Sequence, residues 1–173
     1  MSIVKKLVKR YKRSKDPIAY ARSIGVSVGG GCRLLSTNFG TEPWLITIGD
    51  HVLVSGNVTF LTHDGSTWVF RSLPEYSHVV KYGAITIGNN CFIGNGSTIL
   101  PGVTIGDNCI VGAGSVVTKD IPSDSVVAGV PARVICSTKE YADKCLRNTP
   151  EYDVEAYKKN QKSEVLRVWG RKK

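Results

Sequence analysis

Three histidines and a few cations are the residues of this chain with acid–base or phosphate chemistry to offer. His63 stands in Thr62-His63-Asp64-Gly65-Ser66-Thr67-Trp68, inside a stretch from about Leu61 to Gly83 that is too aromatic for disorder and too long for a passive turn. A histidine, with a pKa near 6.5, can take a proton from a hydroxyl as that oxygen forms a bond, typically worth roughly 10²- to 10⁴-fold in rate. Asp64, Glu75 or a backbone carbonyl could orient the imidazole, and the sequence leaves that choice open. His51 and His78 have structural or peripheral readings, the first at a corner of the repeats and the second late in the same stretch. Lys119 and Arg133 are two of only six basic residues between positions 16 and 136, and cations suit phosphates. Trp44, Trp68, Phe70 and Tyr76 either stack on a sugar face or pin the loop, while Asn38, Asp64 and Arg71 can bind hydroxyls or phosphate.

The frame that positions these residues is a repeat of six. From Ile87 the chain reads Ile87-Gly88-Asn89-Asn90-Cys91-Phe92, and the pattern continues through Ile93, Ile99, Ile105, Val111 and Val117 to Pro122. Each repeat opens on Ile or Val and has a small or branched residue at its fifth position, namely Cys91, Ser97, Val103, Cys109, Ser115 and Ile121. A period of six fits short strands joined by corners and stacked as a β-solenoid, with Gly, Asn and Asp tolerating the left-handed corner backbone. Ile24-Gly25-Val26-Ser27-Val28-Gly29 opens the repeats, Asn38 to Trp44 breaks them, and Ile48-Gly49-Asp50-His51-Val52-Leu53 restores them. The next repeat after the His63 stretch is three residues out of step, so that stretch must leave the prism. Three parts follow: a basic, helical N-terminal segment 1–23, the repeats 24–136 with their insertion at about 61–83, and C-terminal helices within 137–173, at about 138–147 and 150–169.

The formal charge of +9 is unevenly placed. Residues 1–15 hold seven basic residues and no acid, 137–173 hold ten basic and six acidic, and 16–136 hold six basic and eight acidic. The excess sits in the ends and no aromatic-interleaved basic groove accompanies it, so no nucleic-acid partner is expected. Ile3, Val4, Leu7, Val8 and Tyr11 have helix-like spacing among Lys and Arg, which reads as a cap on the solenoid or as peripheral contact of residues 1–15 with an anionic membrane surface. No apolar run reaches the ~18 residues of a membrane span, and no apolar region of signal-peptide type opens the chain. The expected location is the cytoplasm, including the inner face of the membrane. Five cysteines without paired spacing read as reduced thiols, with Cys91 and Cys109 stacked on neighbouring coils.

Three segments resemble the hexapeptide-repeat acyltransferases: the run from Ile87 to Pro122, the Thr62–Trp68 loop, and Ala128-Gly129-Val130-Pro131-Ala132-Arg133. The loop is similar to that of sugar and polysaccharide O-acetyltransferases, and to that of acetyltransferases acting on streptogramin antibiotics. Galactoside and maltose acetyltransferases are similar in the repeats and differ in the loop. The resemblance covers roughly residues 24–136. It implies an all-β solenoid, a left-handed parallel β-helix with three hexapeptides per coil, against the usual right-handed crossover. It also implies acetyl transfer from acetyl-CoA to a hydroxyl of a sugar or polysaccharide precursor, with His63 as general base and no metal. CoA would meet Asn95, Ala113, Thr118, Lys119 and Arg133; the acceptor would meet Asn38, Asp64, Trp68 and Arg71. The family further implies a homotrimer with sites between subunits. Competing readings are a xenobiotic O-acetyltransferase, a non-catalytic scaffold, and a metal-dependent carbonic anhydrase, whose three clustered His ligands the spacing of His51, His63 and His78 does not provide.

Overall fold

Each hexapeptide supplies one short strand and one corner. A computed structural model describes residues 15–170. Its strands are β1 (Ser27–Val28), β2 (Arg33–Leu34), β3 (Ile46–Ile48), β4 (Leu53–Val54), β5 (Thr59–Phe60), β6 (Ile85–Ile87), β7 (Phe92–Ile93), β8 (Thr98–Ile99), β9 (Thr104–Ile105), β10 (Ile110–Val111), β11 (Val116–Val117), β12 (Ser125–Gly129) and β13 (Ala132–Ser137). They sort into three sheets, β1-β3-β6-β9, β2-β4-β7-β10-β12-β13 and β5-β8-β11, with every pairing parallel except the closing β12–β13 hairpin. Phe92 pairs with Ile110 and Thr98 with Val116, an advance of 18 residues, so three hexapeptides make one coil.

The aliphatic column is the core. Ile87, Ile93, Ile99, Ile105, Val111 and Val117 are all buried, and so are Cys91, Ser97, Val103, Cys109, Ser115 and Ile121 at the fifth positions. Two side chains per hexapeptide point inward because the strands are two or three residues long and the corner turns the chain before a third can follow. Burying one such aliphatic side chain contributes roughly 1.5–3 kcal/mol. The thiols of Cys91 and Cys109 are free and donate to the carbonyls of Gly106 and Pro122, and burial raises both pKa values, that of Cys91 to about 11.

One corner is tied along the stack by side chains. His51, Asn90, Asn108 and Asp124 all adopt positive φ, between 54° and 61°. His51 Nδ1 meets Asn90 Oδ1 at 2.8 Å, Asn90 Nδ2 donates to Asn108 Oδ1 at 2.8 Å, and Asn108 Nδ2 donates to Asp124 Oδ1 at 2.9 Å. His51 is thus the first rung of a structural ladder. Asn95 has no such backbone; at its corner Gly96 takes the positive φ of 70°.

The insertion appears as a register jump. Leu53 pairs with Phe92 and Ile48 with Ile87, each 39 residues on where the next coil advances by 18. The extra chain leaves between β5 and β6, from the edge where the third sheet meets the first.

At the N-terminal side, α1 (Pro17–Ser23) is capped by Asp16, whose carboxylate accepts from Ala19 N, and it buries Ala21 in the core cluster. Residues 1–14, which carry the expected amphipathic pattern and membrane contact, lie outside the described residues. One compact unit ends at Thr138 and a second begins at Lys139. The second contains α2 (Thr138–Asn148), which starts at the boundary, then α3 (Val154–Lys159) and α4 (Gln161–Trp169). The single helix expected over about 150–169 is two helices. Asp153 accepts from Glu155 N and Ala156 N to start α3, and Asn160 leaves helical geometry and caps α4 by accepting from Ser163 N. No helix among the described residues is long and apolar enough to cross a membrane.

Candidate active site

Two chain segments meet at the root of the insertion. Phe60, the last residue of β5, stacks on Phe39 at a centroid distance of 5.5 Å, and both rings are buried. Asn38 bridges to Thr59, and Phe60 N donates to Asn38 O. This contact fixes the period-breaking segment 38–44 beside the residues that follow Phe60. The insertion then leaves as a narrow antiparallel stem in which Gly83 N donates to Thr62 O, Asp64 N donates to Lys81 O, and His63 lies opposite Tyr82.

On that stem, His63 Nδ1 sits 2.9 Å from Glu42 Oε2. Glu42 also accepts from Thr62 Oγ1 and Thr41 Oγ1, each at 2.7 Å. The hydroxyl of Thr62, then that of Thr41, then His63 hold the Glu42 carboxyl down at about 2. A carboxylate on Nδ1 places the proton of the neutral ring there and leaves Nε2 with its lone pair. The side chain of Glu42 is 16% exposed and that of His63 46%, so the acid is sheltered while the ring keeps an open edge. The Tyr82 ring stands 6.0 Å away, edge-on to the imidazole.

Glu42 is the residue that sequence reasoning missed, and it corrects the expected partners of His63. Asp64 is occupied elsewhere: its carboxylate accepts Lys81 Nζ at 2.8 Å and Ser66 N at 2.9 Å, which caps the 3-10 turn Gly65–Val69. Lys81 first and Ser66 second hold that carboxyl far below the usual carboxylate range. Glu75 lies in the later 3-10 turn Pro74–Tyr76. Phe70 and Tyr76 meet edge-to-face at 5.7 Å and pin the loop, whereas Trp68 is 83% exposed and Arg71 is also exposed. Asn38 Nδ2 donates to Thr59 Oγ1 on the third sheet.

The residues expected to meet CoA border that same third sheet on both sides. On the edge toward the second sheet, Asn95 and Ala113 stack, with Gly114 N donating to Asn95 O. Arg133 joins that edge from β13, opposite Ala128, and its guanidinium donates to the Ala132 carbonyl. Thr118 and Lys119 follow β11 on the other edge, two coils along from the point where the His63 stem departs. The structure therefore places Asn95, Ala113 and Arg133 along one edge of the third sheet, sets Thr118 and Lys119 on the other, and puts His63 on the second of these edges. A groove of about 460 Å³ lies elsewhere, over Arg33, His51, Leu53, Phe92 and Ile110 of the second sheet, and includes none of these residues. On its lining, His51 is tied through Nδ1 to Asn90 in the corner ladder. Among the described residues no three His, Cys, Asp or Glu side chains are grouped to hold a metal ion.

Comparison with known proteins gives this geometry a context. The family described as bacterial transferase hexapeptide (six repeats) matches residues 84–119. Protein CapG of Staphylococcus aureus is 51% identical over 146 residues, covering 83% of this chain and 81% of CapG. The chain belongs to the hexapeptide-repeat transferases. The galactoside O-acetyltransferase of Escherichia coli is 43% identical over 124 residues, which cover 70% of this chain and 58% of that enzyme. Among solved structures, a hexapeptide-repeat acetyltransferase of Vibrio cholerae complexed with acetyl-CoA superimposes with a TM-score of 0.51 at 30% identity, covering 66% of this chain and 61% of that one. Within the family this member is an acetyltransferase.

Proposed function

We propose that this hexapeptide-repeat transferase moves an acetyl group from acetyl-CoA to a hydroxyl of a sugar or polysaccharide precursor, with His63 as the general base. The observation that carries the reading is the Glu42–His63 contact of 2.9 Å on Nδ1, which leaves Nε2 as the basic atom on an open edge. Nε2 takes the proton of the acceptor hydroxyl as its oxygen bonds to the acetyl carbonyl carbon. The carbon–sulfur bond then breaks, and His63 returns the proton to the departing thiolate, so that CoA leaves as the thiol. Glu42 stabilises the imidazolium between the two transfers.

The third sheet suits the donor. A Cβ built on Gly96 or Gly114 meets no atom within 4 Å, so the corner backbone beside Asn95 and Ala113 is bare toward solvent and accessible to a pantetheine arm. Arg133 and Lys119 would take phosphates, Asn38, Trp68 and Arg71 the acceptor, and Asp64 would serve mainly to shape the loop. In this reading the coil is left-handed, the assembly is a trimer with its sites between subunits, and the enzyme works in the cytoplasm. The galactoside specificity of the Escherichia coli relative and the acetyl-CoA complex of the Vibrio cholerae enzyme support a sugar acceptor and this donor. The test is His63→Ala assayed by thiol release from acetyl-CoA over a panel of nucleotide sugars, lipid-linked glycans and streptogramins. A loss in kcat of about 10²-fold or more with little change in melting temperature is expected, and an unimpaired variant would end the assignment.

A further inference from the structure

The carboxylate behind His63 is more heavily bonded than orientation of an imidazole requires. Thr62 Oγ1 donates at 2.7 Å to Glu42 Oε2, the same oxygen that holds His63 Nδ1. Thr41 Oγ1 donates at 2.7 Å to the other oxygen and lies 3.3 Å from Nδ1 itself. Thr62 is only 1% exposed. A valine would fill the same space in that stem without a hydroxyl to satisfy, so packing alone does not account for the threonine. The backbone is shaped for the contact as well. Gly40 has a φ of +67°, and a Cβ there would come within 3.0 Å of Phe60 O and 3.4 Å of Thr62 Oγ1. Only glycine combines that conformation with so close an approach.

We propose that Thr62 and Thr41 are positioning residues that set the proton affinity of His63 through Glu42. The proposal rests on the reading of His63 as the base and deepens it. A bare carboxylate beside an imidazole favours the imidazolium, and a base that holds its proton at neutral pH is idle. Hydroxyl donors spread the charge of the carboxylate and weaken that pull, while the ring still gains a partner when it is protonated during the reaction. The other titratable groups facing the ring come from the stem. Tyr82 presents its edge, and Asp64 and Lys81 pair with each other at 2.8 Å, so their charges offset.

The test compares Thr62→Val, Thr62→Ser and Thr41→Val in the full chain. His63 is titrated by NMR of the imidazole C–H groups, which needs no acceptor, and kcat/KM for acetyl-CoA is followed against pH. In Thr62→Val the NMR titration and the acidic limb of the rate profile are expected to move together to higher pH, by about 0.5 to 1 unit. Thr62→Ser restores the wild-type values, and Thr41→Val gives a smaller shift of the same sign. A folded Thr62→Val whose His63 titration coincides with wild type overturns the proposal. If that variant does not fold, Thr41→Val, at an exposed position, decides by the same two readouts. A shifted titration alongside a fully active His63→Ala would remove His63 as the base while leaving its coupling to Thr62 intact, which separates the two failures.

Discussion

At His63 and Glu42 the chemistry follows from which atoms are already engaged. Nδ1 is taken by the carboxylate, so in the proposed reaction the proton acceptor is Nε2, a tautomer assigned from the hydrogen-bond network. Glu42→Gln keeps the volume and removes the charge that stabilises the imidazolium. We expect kcat to fall by about 10- to 10²-fold while the KM for acetyl-CoA holds, read from steady-state kinetics on wild type and variant. The same carboxylate makes stability depend on pH. Its pKa is lowered from 4.5 to about 2, so its contribution is fully present above 4.5 and disappears as pH falls through about 2. Melting temperatures of wild type and Glu42→Gln are therefore expected to differ most above pH 4.5 and to converge toward pH 2. His63 could be singled out as a candidate from its motif, whereas Glu42 could not, because no motif links it to the histidine. The link is geometric: Asn38 pairs with Thr59 at an offset of 21 residues, and the same offset carries Glu42 onto His63. The break in the repeat at 38–44 marked the place without naming the residue.

Among the elements, the corners show how tightly one coil sits on the next. A Cβ on Gly94 would come within 2.5 Å of Ala113 N and 2.6 Å of Val111 O, both backbone atoms that have no room to retreat. Two residues on, Gly96 has a φ of +70° and open space around it. Gly94→Ala is expected to force the stack apart and cost roughly 1–3 kcal/mol, whereas Gly96→Ala costs about 1 kcal/mol from backbone strain alone. Denaturant melts of the two variants check the order, and a Gly96→Ala less stable than Gly94→Ala would mean that strain, not stacking, governs these corners. The inward column from Ile87 to Val117 was readable because six aligned repeats leave one register that buries every aliphatic. The divided C-terminal helix was not, because Asn160 reads as an ordinary helix residue until its side chain is seen capping Ser163 N. At the Asn95 corner Asn and Gly are neighbours, and the chain gives the left-handed conformation to Gly96.

On the scale of the whole molecule, the question is how one sheet would serve two substrates in the proposed reaction. Ala113 and Thr118 stand five residues apart along the chain on either side of β11, so the third sheet is at most about 17 Å across between them. The cations expected to meet phosphate therefore lie on opposite edges, Arg133 beside the Asn95–Ala113 corner and Lys119 on the edge from which the His63 stem departs. A CoA bound along the first edge would offer its 3′-phosphate to Arg133 and leave Lys119 to another group. A charge-assisted hydrogen bond contributes about 1.5–3 kcal/mol, so Arg133→Ala is expected to raise the KM for acetyl-CoA roughly 10- to 150-fold. With acetyl-dephospho-CoA, which lacks the 3′-phosphate, the same variant is expected to lose much less, while Lys119→Ala responds similarly to both donors. Trp68→Ala, on the exposed loop, leaves both donor constants unchanged and acts on the acceptor. Steady-state kinetics with the two donors decide the arrangement: equal losses in Arg133→Ala would remove that residue from the 3′-phosphate, and a donor defect in Trp68→Ala would move the loop to the donor side of the sheet.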